Sequence, residues 1–180
     1  MQSNLPLEKS VSYCEFLPMK SEKRVLFVCT GNTCRSPMAE GFFRKAVAGR
    51  EDFVALGSAG VSAYDGDRIS PETTDELKRS SATLKDFRSR SVTKEMLKEA
   101  THVFAMTNAH LSALTRSFPA YEDKCYLVCD FIEINGQAGL DVPDPIGCGA
   151  RAYKQVGEVF SHAIPALIDF MEHEEELPED

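Results

Sequence analysis

A chain of 180 residues, 43% hydrophobic and 27% charged, has the size and composition of one globular domain that buries its own core. Its net charge of −8, from 20 basic and 28 acidic side chains, argues against a nucleic-acid-binding surface, which needs clustered Lys and Arg. No stretch is apolar for long enough to span a bilayer, and six cysteines in a domain of this size are not a disulfide framework.

The amino terminus, MQSNLPLEKSVSYCEFLPMKSEK, lacks the basic start and apolar centre of a secretory signal. Residues 1–22 are read as an N-terminal extension without assigned structure, open to disorder. With no export signal the expected compartment is cytoplasmic, and the cysteines are expected to be free thiols. RVLFVC (24–29) is a nearly continuous apolar run, as expected for a strand of a parallel sheet covered on both faces. SPMAEGFFRKAVAG follows as a helix, with Ser36 as its cap, Pro37 in its first turn and Gly49 near its stop. FVALGSAG (53–60) reads as a second strand, and SPETTDELKRS as a helix capped by Ser70. A short helix, VTKEMLKEA, leads to a third strand in THVFAM (101–106). TNAHLSALTRSF is helical, and KCYLVCDF (124–131) reads as a fourth strand. The long loop IEINGQAGLDVPDPIGCG precedes a final helix in which Pro165 predicts a kink or break. The acidic end, residues 174–180, reads as a solvated tail after a domain spanning 23–173. Strands alternating with helices predict an α/β fold whose ligands bind at the carboxyl ends of the strands.

Cys29 stands at such an end. Five residues separate it from Arg35, at the seam between strand and helix. A tight turn there leaves backbone N–H groups pointing inward, and the helix dipole adds positive potential. Gly31 is expected to let the chain fold closely, and the resulting nest suits a tetrahedral oxyanion. Arg35 adds a planar fork for two phosphate oxygens, and the same donors favour a thiolate at Cys29. A nucleophile beneath a bound oxyanion is the arrangement that phosphoryl transfer to sulfur requires. Asp144, stiffened between Pro143 and Pro145, is the candidate leaving-group acid. Singly, each residue has an ordinary structural explanation; together, at this spacing, they point to catalysis.

VCTGNTCRSPMAEG, with GSAG, VFAMT and DPIG further on, resembles the low-molecular-weight protein tyrosine phosphatases over residues 23–170 or so. The resemblance implies a four-stranded parallel sheet flanked by helices on both faces. It also implies catalysis through S-phosphocysteine with Cys29, Arg35 and Asp144, and no metal or cofactor. The phosphate-binding loop becomes Thr30, Gly31, Asn32, Thr33, Cys34 and Arg35, held in shape by Asn32, Ser36 and Ser58. Cys34 is implied as a partner for a reversible protective disulfide with Cys29. Substrates are then phosphorylated proteins, without nucleic acid or membrane partners.

Two features depart from the family pattern. Phe87 stands where an HxxR stretch often carries His, and Ile146 follows the Asp-Pro where tyrosine-specific members tend to have aromatics. Tyr64 is a candidate second wall of the substrate pocket, with Thr33 and Ile146. Thr33, where tyrosine phosphatases of the family usually carry a bulky aliphatic, makes CTGNTCRS resemble the bacterial protein arginine phosphatases. A phosphoarginine guanidinium brings N–H donors that a Thr hydroxyl can accept. The reading is therefore a phosphotyrosine or phosphoarginine protein phosphatase, leaning toward phosphoarginine.

The alternatives are an arsenate reductase of the same fold, using Cys125 and Cys129, and a zinc module built on Cys29, Cys34, Cys125 and Cys129. The first lacks a cysteine after the third strand, and the second lacks ligand spacing typical of zinc. A GxGxxA match at GCGARA follows prolines rather than a strand, which removes a dinucleotide site. The four histidines are read as solvated or helix-surface residues.

Overall fold

The computed structural model describes residues 22–134 and 136–174; the extension up to residue 21 and the tail from 175 lie outside the described residues. Four strands, β1 (Lys23–Cys29), β2 (Phe53–Gly60), β3 (His102–Ala105) and β4 (Cys125–Leu127), form one sheet in the order β2-β1-β3-β4. All neighbours are parallel, so β1 and β3 are enclosed by strands on both edges and by helices on both faces.

The unbroken apolar run of β1 is what such a position demands. Val25, Phe27 and Cys29 enter one core with α1 (Arg35–Ala46), α2 (Pro71–Arg79) and α5 (Gly149–His173). Leu26 and Val28 alternate to the opposite core, with α3 (Lys94–Glu99) and α4 (Asn108–Ser117). The expected α/β fold, a four-stranded parallel sheet with helices on both faces, is the fold the chain adopts. Helix starts follow local chemistry: Ser70, Thr93 and Thr107 each accept a backbone N–H from three residues on.

Four local expectations are corrected. Ser36 does not cap α1; the N-cap position is Cys34, and Ser36 lies buried in the first turn. The fourth strand stops at Leu127, because its partner β3 ends at Ala105, opposite it. Beyond that pairing, Val128–Phe131 winds into a 3-10 turn, so Cys129 is not on the strand with Cys125. The long loop holds a small hairpin, β5 (Glu133–Ile134) with β6 (Gln137–Ala138). Finally, α5 does not break at Pro165, and is carried past the missing N–H by buried Phe160, Ala163, Ile164, Leu167 and Met171.

The acidic end is not wholly solvated. Glu172 pairs with Arg50, and Glu174 reaches Lys23 Nζ at 2.6 Å and His102 Nε2 at 2.7 Å. His102, at the foot of β3, is only 3% exposed and stacks between Phe104 and Tyr126. It is therefore a core residue rather than a surface one.

Candidate active site

Cys29 ends β1 opposite Gly60, the last residue of β2. From there the chain must turn within five residues into α1. Close packing forces the turn: a Cβ at Gly60 would lie 2.3 Å from the Thr30 carbonyl oxygen and 3.1 Å from the Asn32 nitrogen. The left-handed position of the turn belongs to Asn32 (φ 53°), not to Gly31. A Cβ at Gly31 would touch only Thr33 Oγ1, at 3.9 Å, so the expected role of that glycine is not what closes the loop.

A non-glycine residue holds such a φ only when its surroundings over-determine it. Asn32 is fully buried, and its side chain is satisfied on every side. Its amide donates to Ser36 Oγ (3.0 Å) and Ser58 Oγ (2.8 Å), and its Oδ1 accepts the Arg90 backbone N–H (2.9 Å). Ser58 in turn donates to Glu40 (2.8 Å), which accepts from Arg44 Nε (2.8 Å). Arg90 also donates to the carbonyls of Ser58 (3.0 Å) and Leu56 (2.9 Å). This lattice fixes the loop before any ligand arrives.

Within it, the Cys29 sulfur accepts the Asn32 backbone N–H at 3.3 Å and lies 2.9 Å from the Ser36 hydroxyl. Arg35 is buried, not solvent-facing: Nη2 meets Asp144 Oδ2 at 3.0 Å and Nη1 donates to the Val142 carbonyl at 3.3 Å. A carboxylate from the loop 109 residues away is thus delivered beside the guanidinium, with its other oxygen accepting the Ile146 N–H at 3.2 Å. The assembled groups can grip a tetrahedral anion, attack it with sulfur and exchange a proton through Asp144.

Thr33 is half-buried; its carbonyl accepts the Ser70 N–H (3.0 Å), and its hydroxyl lies 3.6 Å from Cys34 Sγ. Cys34 is buried, with its sulfur 3.3 Å from the Tyr153 hydroxyl, whose pKa burial pushes up to about 12. Tyr64 (82% exposed) and Ile146 (63%) are the exposed large apolar side chains among the described residues.

Sequence reasoning missed three residues. Glu40 lies in the quoted MAEG stretch. Arg90 ends the FxxR frame in which only Phe87 drew notice, so loop support comes through the arginine rather than a histidine. His110, read as a surface residue, is 5% exposed, and its Nε2 lies 2.7 Å from Thr30 Oγ1.

The rival cysteines look inert. Burial pushes the thiols of Cys125 and Cys129 up to about 11, and Cys125 Sγ donates to the Tyr121 carbonyl. Among the described residues no three of Cys29, Cys34, Cys125 and Cys129 converge as a ligand set.

A parallel α/β sheet whose central strand ends in a cysteine, under a loop of amides closed by a buried arginine, defines the class of cysteine-nucleophile phosphate-loop proteins. Comparison with known proteins places the chain within that class. The pattern of the low molecular weight phosphotyrosine protein phosphatases matches residues 24–177, and the chain belongs to that family. It is 39% identical to a protein-arginine-phosphatase of Bacillus subtilis over 79% of this chain and 93% of the relative. A low molecular weight protein tyrosine phosphatase of T. tengcongensis superposes with a TM-score of 0.75 at 41% identity, over 82% of this chain and 99% of the other. A variant of the YwlE arginine phosphatase, with a phosphorylated active-site serine replacing cysteine, superposes with a TM-score of 0.73 at 32% identity, over 86% and 99%.

Proposed function

We propose that this protein is a cysteine-dependent protein phosphatase that hydrolyses phosphotyrosine or phosphoarginine side chains, with Thr33 favouring phosphoarginine. The observation that carries this reading is the sulfur of Cys29 beneath the Asn32 N–H and Ser36 hydroxyl, one loop away from a buried Arg35 paired with Asp144.

In the first step the Cys29 thiolate attacks phosphorus, and the bond from phosphorus to the substrate oxygen or nitrogen breaks. Asp144, as the acid, gives its proton to that departing atom. Arg35 and the amides of residues 30–35 hold the three equatorial oxygens as charge spreads over them. In the second step Asp144, now carboxylate, takes a proton from water, whose oxygen displaces sulfur and releases phosphate. The phosphoserine of the YwlE variant supports a covalent intermediate at the nucleophile's position. Oxidation would join Cys29 to Cys34 as a protective disulfide. No metal or cofactor enters the scheme, the working compartment is the cytoplasm, and phosphorylated proteins are the partners. No helix among the described residues is long and apolar enough to cross a membrane.

The lean toward phosphoarginine rests on Thr33 and on Ile146, which leaves the pocket without an aromatic wall after Asp144-Pro145. Relatives named for each activity match this chain, so kinetics on matched peptides decide. Wild type is expected to favour the phosphoarginine peptide in kcat/KM, and Thr33→Ile to move the ratio toward phosphotyrosine by about tenfold, the scale of one hydrogen bond to a charged donor. An unchanged ratio in Thr33→Ile removes the basis for arginine preference; turnover of neither peptide removes the phosphatase reading itself.

A further inference from the structure

Beside the loop lies a set of polar side chains that the two-step scheme does not use. His110, in the first turn of α4, has both ring nitrogens engaged: Nε2 lies 2.7 Å from Thr30 Oγ1 and Nδ1 2.9 Å from Thr107 Oγ1. Burial, reinforced by the nearby Arg35 guanidinium, pushes its pKa down to about 4 against the opposing pull of Asp141 and Asp144. The ring is therefore neutral at pH 7, with one N–H and one lone pair.

The direction of the protons follows from Thr107. Its oxygen, the N-cap of α4, already accepts the His110 backbone N–H at 3.2 Å. With its own hydrogen given to Nδ1 at 2.9 Å, the ring hydrogen sits on Nε2. Nε2–H then donates to Thr30 Oγ1, and the Thr30 hydroxyl hydrogen must turn to another acceptor. Thr30 is exposed beside buried Cys29, so a ligand reaching the loop can supply that acceptor.

We propose that His110 is a positioning residue that fixes the Thr30 hydroxyl as a hydrogen-bond donor to the phosphoryl oxygens of the substrate, one residue from the nucleophile. Phosphoryl oxygens are the acceptors that phosphotyrosine and phosphoarginine share, so this donor serves either substrate. The same turn of α4 is tied to the acid loop: Asp141 accepts the Asn108 backbone N–H at 2.7 Å, and the Val142 N–H donates to the Met106 carbonyl at 2.9 Å. α4 thereby sets the phosphate loop and the acid loop against one common support.

The inference rests on the phosphatase reading for its meaning, but binding of inorganic phosphate tests it without turnover. Calorimetry with phosphate is run on wild type, Thr30→Val, His110→Phe, the double variant and His110→Gln, with kcat/KM on an aryl phosphate and thermal unfolding alongside. Thr30→Val and His110→Phe are each expected to weaken phosphate binding and lower kcat/KM about tenfold, the scale of a hydrogen bond to an anion. The double variant is expected to fall no further, because both substitutions remove one donor. His110→Gln, whose amide N–H can reach Thr30, is expected to keep affinity near wild type. Should His110→Phe fail to fold, Thr30→Val and His110→Gln still decide. Unchanged phosphate affinity in Thr30→Val, a loss in His110→Gln equal to that in Thr30→Val, or additive losses in the double variant overturn the proposal. Absence of turnover with phosphate affinities as expected would overturn the phosphatase reading and leave the Thr30–His110 pairing standing.

Discussion

At the amino end of the sheet Lys23 and His102 both close on Glu174, with the His102 ring stacked on Phe104 and Tyr126 and edge-on to Phe170, and join the first strand to the last helix. At the carboxyl end Asn32, Ser36, Ser58, Glu40 and Arg90 are just as fully hydrogen-bonded, yet they hold a left-handed residue in place and leave a sulfur facing donors. The first cluster spends its polar groups on one another. The second spends them on a backbone shape that turns the Asn32 N–H onto the Cys29 sulfur. Burial and hydrogen-bond satisfaction alone would not separate them; what separates them is whether the satisfied network supports strain.

The comparison breaks most sharply at Cys29. Cys29→Ser is expected to lose turnover of every phosphorylated substrate, by about 10⁴-fold or more, since an activated nucleophile is the core of covalent catalysis. Phosphate binding and the thermal midpoint should stay within experimental error. Residual turnover near wild type would take the reaction away from this sulfur.

Asp144→Asn comes next, with kcat on poor leaving groups expected to fall about 10²- to 10⁴-fold, the usual range for general acid–base help. An activated aryl phosphate should lose much less in the first step. Equal losses for both would remove Asp144 from the leaving-group role.

At the opposite end the effect should be smaller and of another kind. Glu174→Gln is expected to cost about 1–2 kcal/mol of stability, on the scale of a hydrogen-bonded charge, with kcat/KM unchanged. Burial lowers the His102 pKa in the fold despite the opposing effect of Glu174, and the Glu174 pKa is lowered by Lys23 and His102 against desolvation. In both cases the unfolded chain binds the proton more readily, so stability rises with pH across the window. Melts of wild type should therefore lose stability as pH falls below about 6.5, where unfolded His102 gains its proton, and again below about 4.5, as Glu174 protonates. In Glu174→Gln the lower of these two steps should shrink to what remains from Glu95, whose pKa hydrogen bonds also lower; an undiminished step would place the acid sensitivity elsewhere.

Much of the site was legible because its signal is local. An apolar run, a cysteine, five residues and an arginine lie in one short stretch, and Asp144 announces itself between two prolines. The α/β class was equally legible from alternating patterns, whereas the strand order depends on pairings between segments far apart in sequence. Two of the three residues that were missed act across distance. Arg90 meets Asn32 from 58 positions away and His110 meets Thr30 from 80, separations over which no periodicity carries information. Gly31 and Asn32 show a subtler limit: glycine is the usual occupant of a left-handed turn, but a buried amide with every partner supplied can take the position instead. The fourth strand was overread because its length is set by β3, not by its own β-rich residues.

Arg35 has both arms of its fork in use, one on the Val142 carbonyl and the other on the Asp144 carboxylate. The two acceptors lie on a single short strap of chain. On the proposed mechanism, a phosphoryl group that claims the arm held by exposed Asp144 frees that carboxyl, while Val142, buried and tied to the Met106 carbonyl, keeps its place. Arrival of the cargo and release of the acid thus become the same event, and the carboxyl is set loose when the departing atom needs a proton. Timing of this kind needs no separate trigger, because the guanidinium cannot serve both masters.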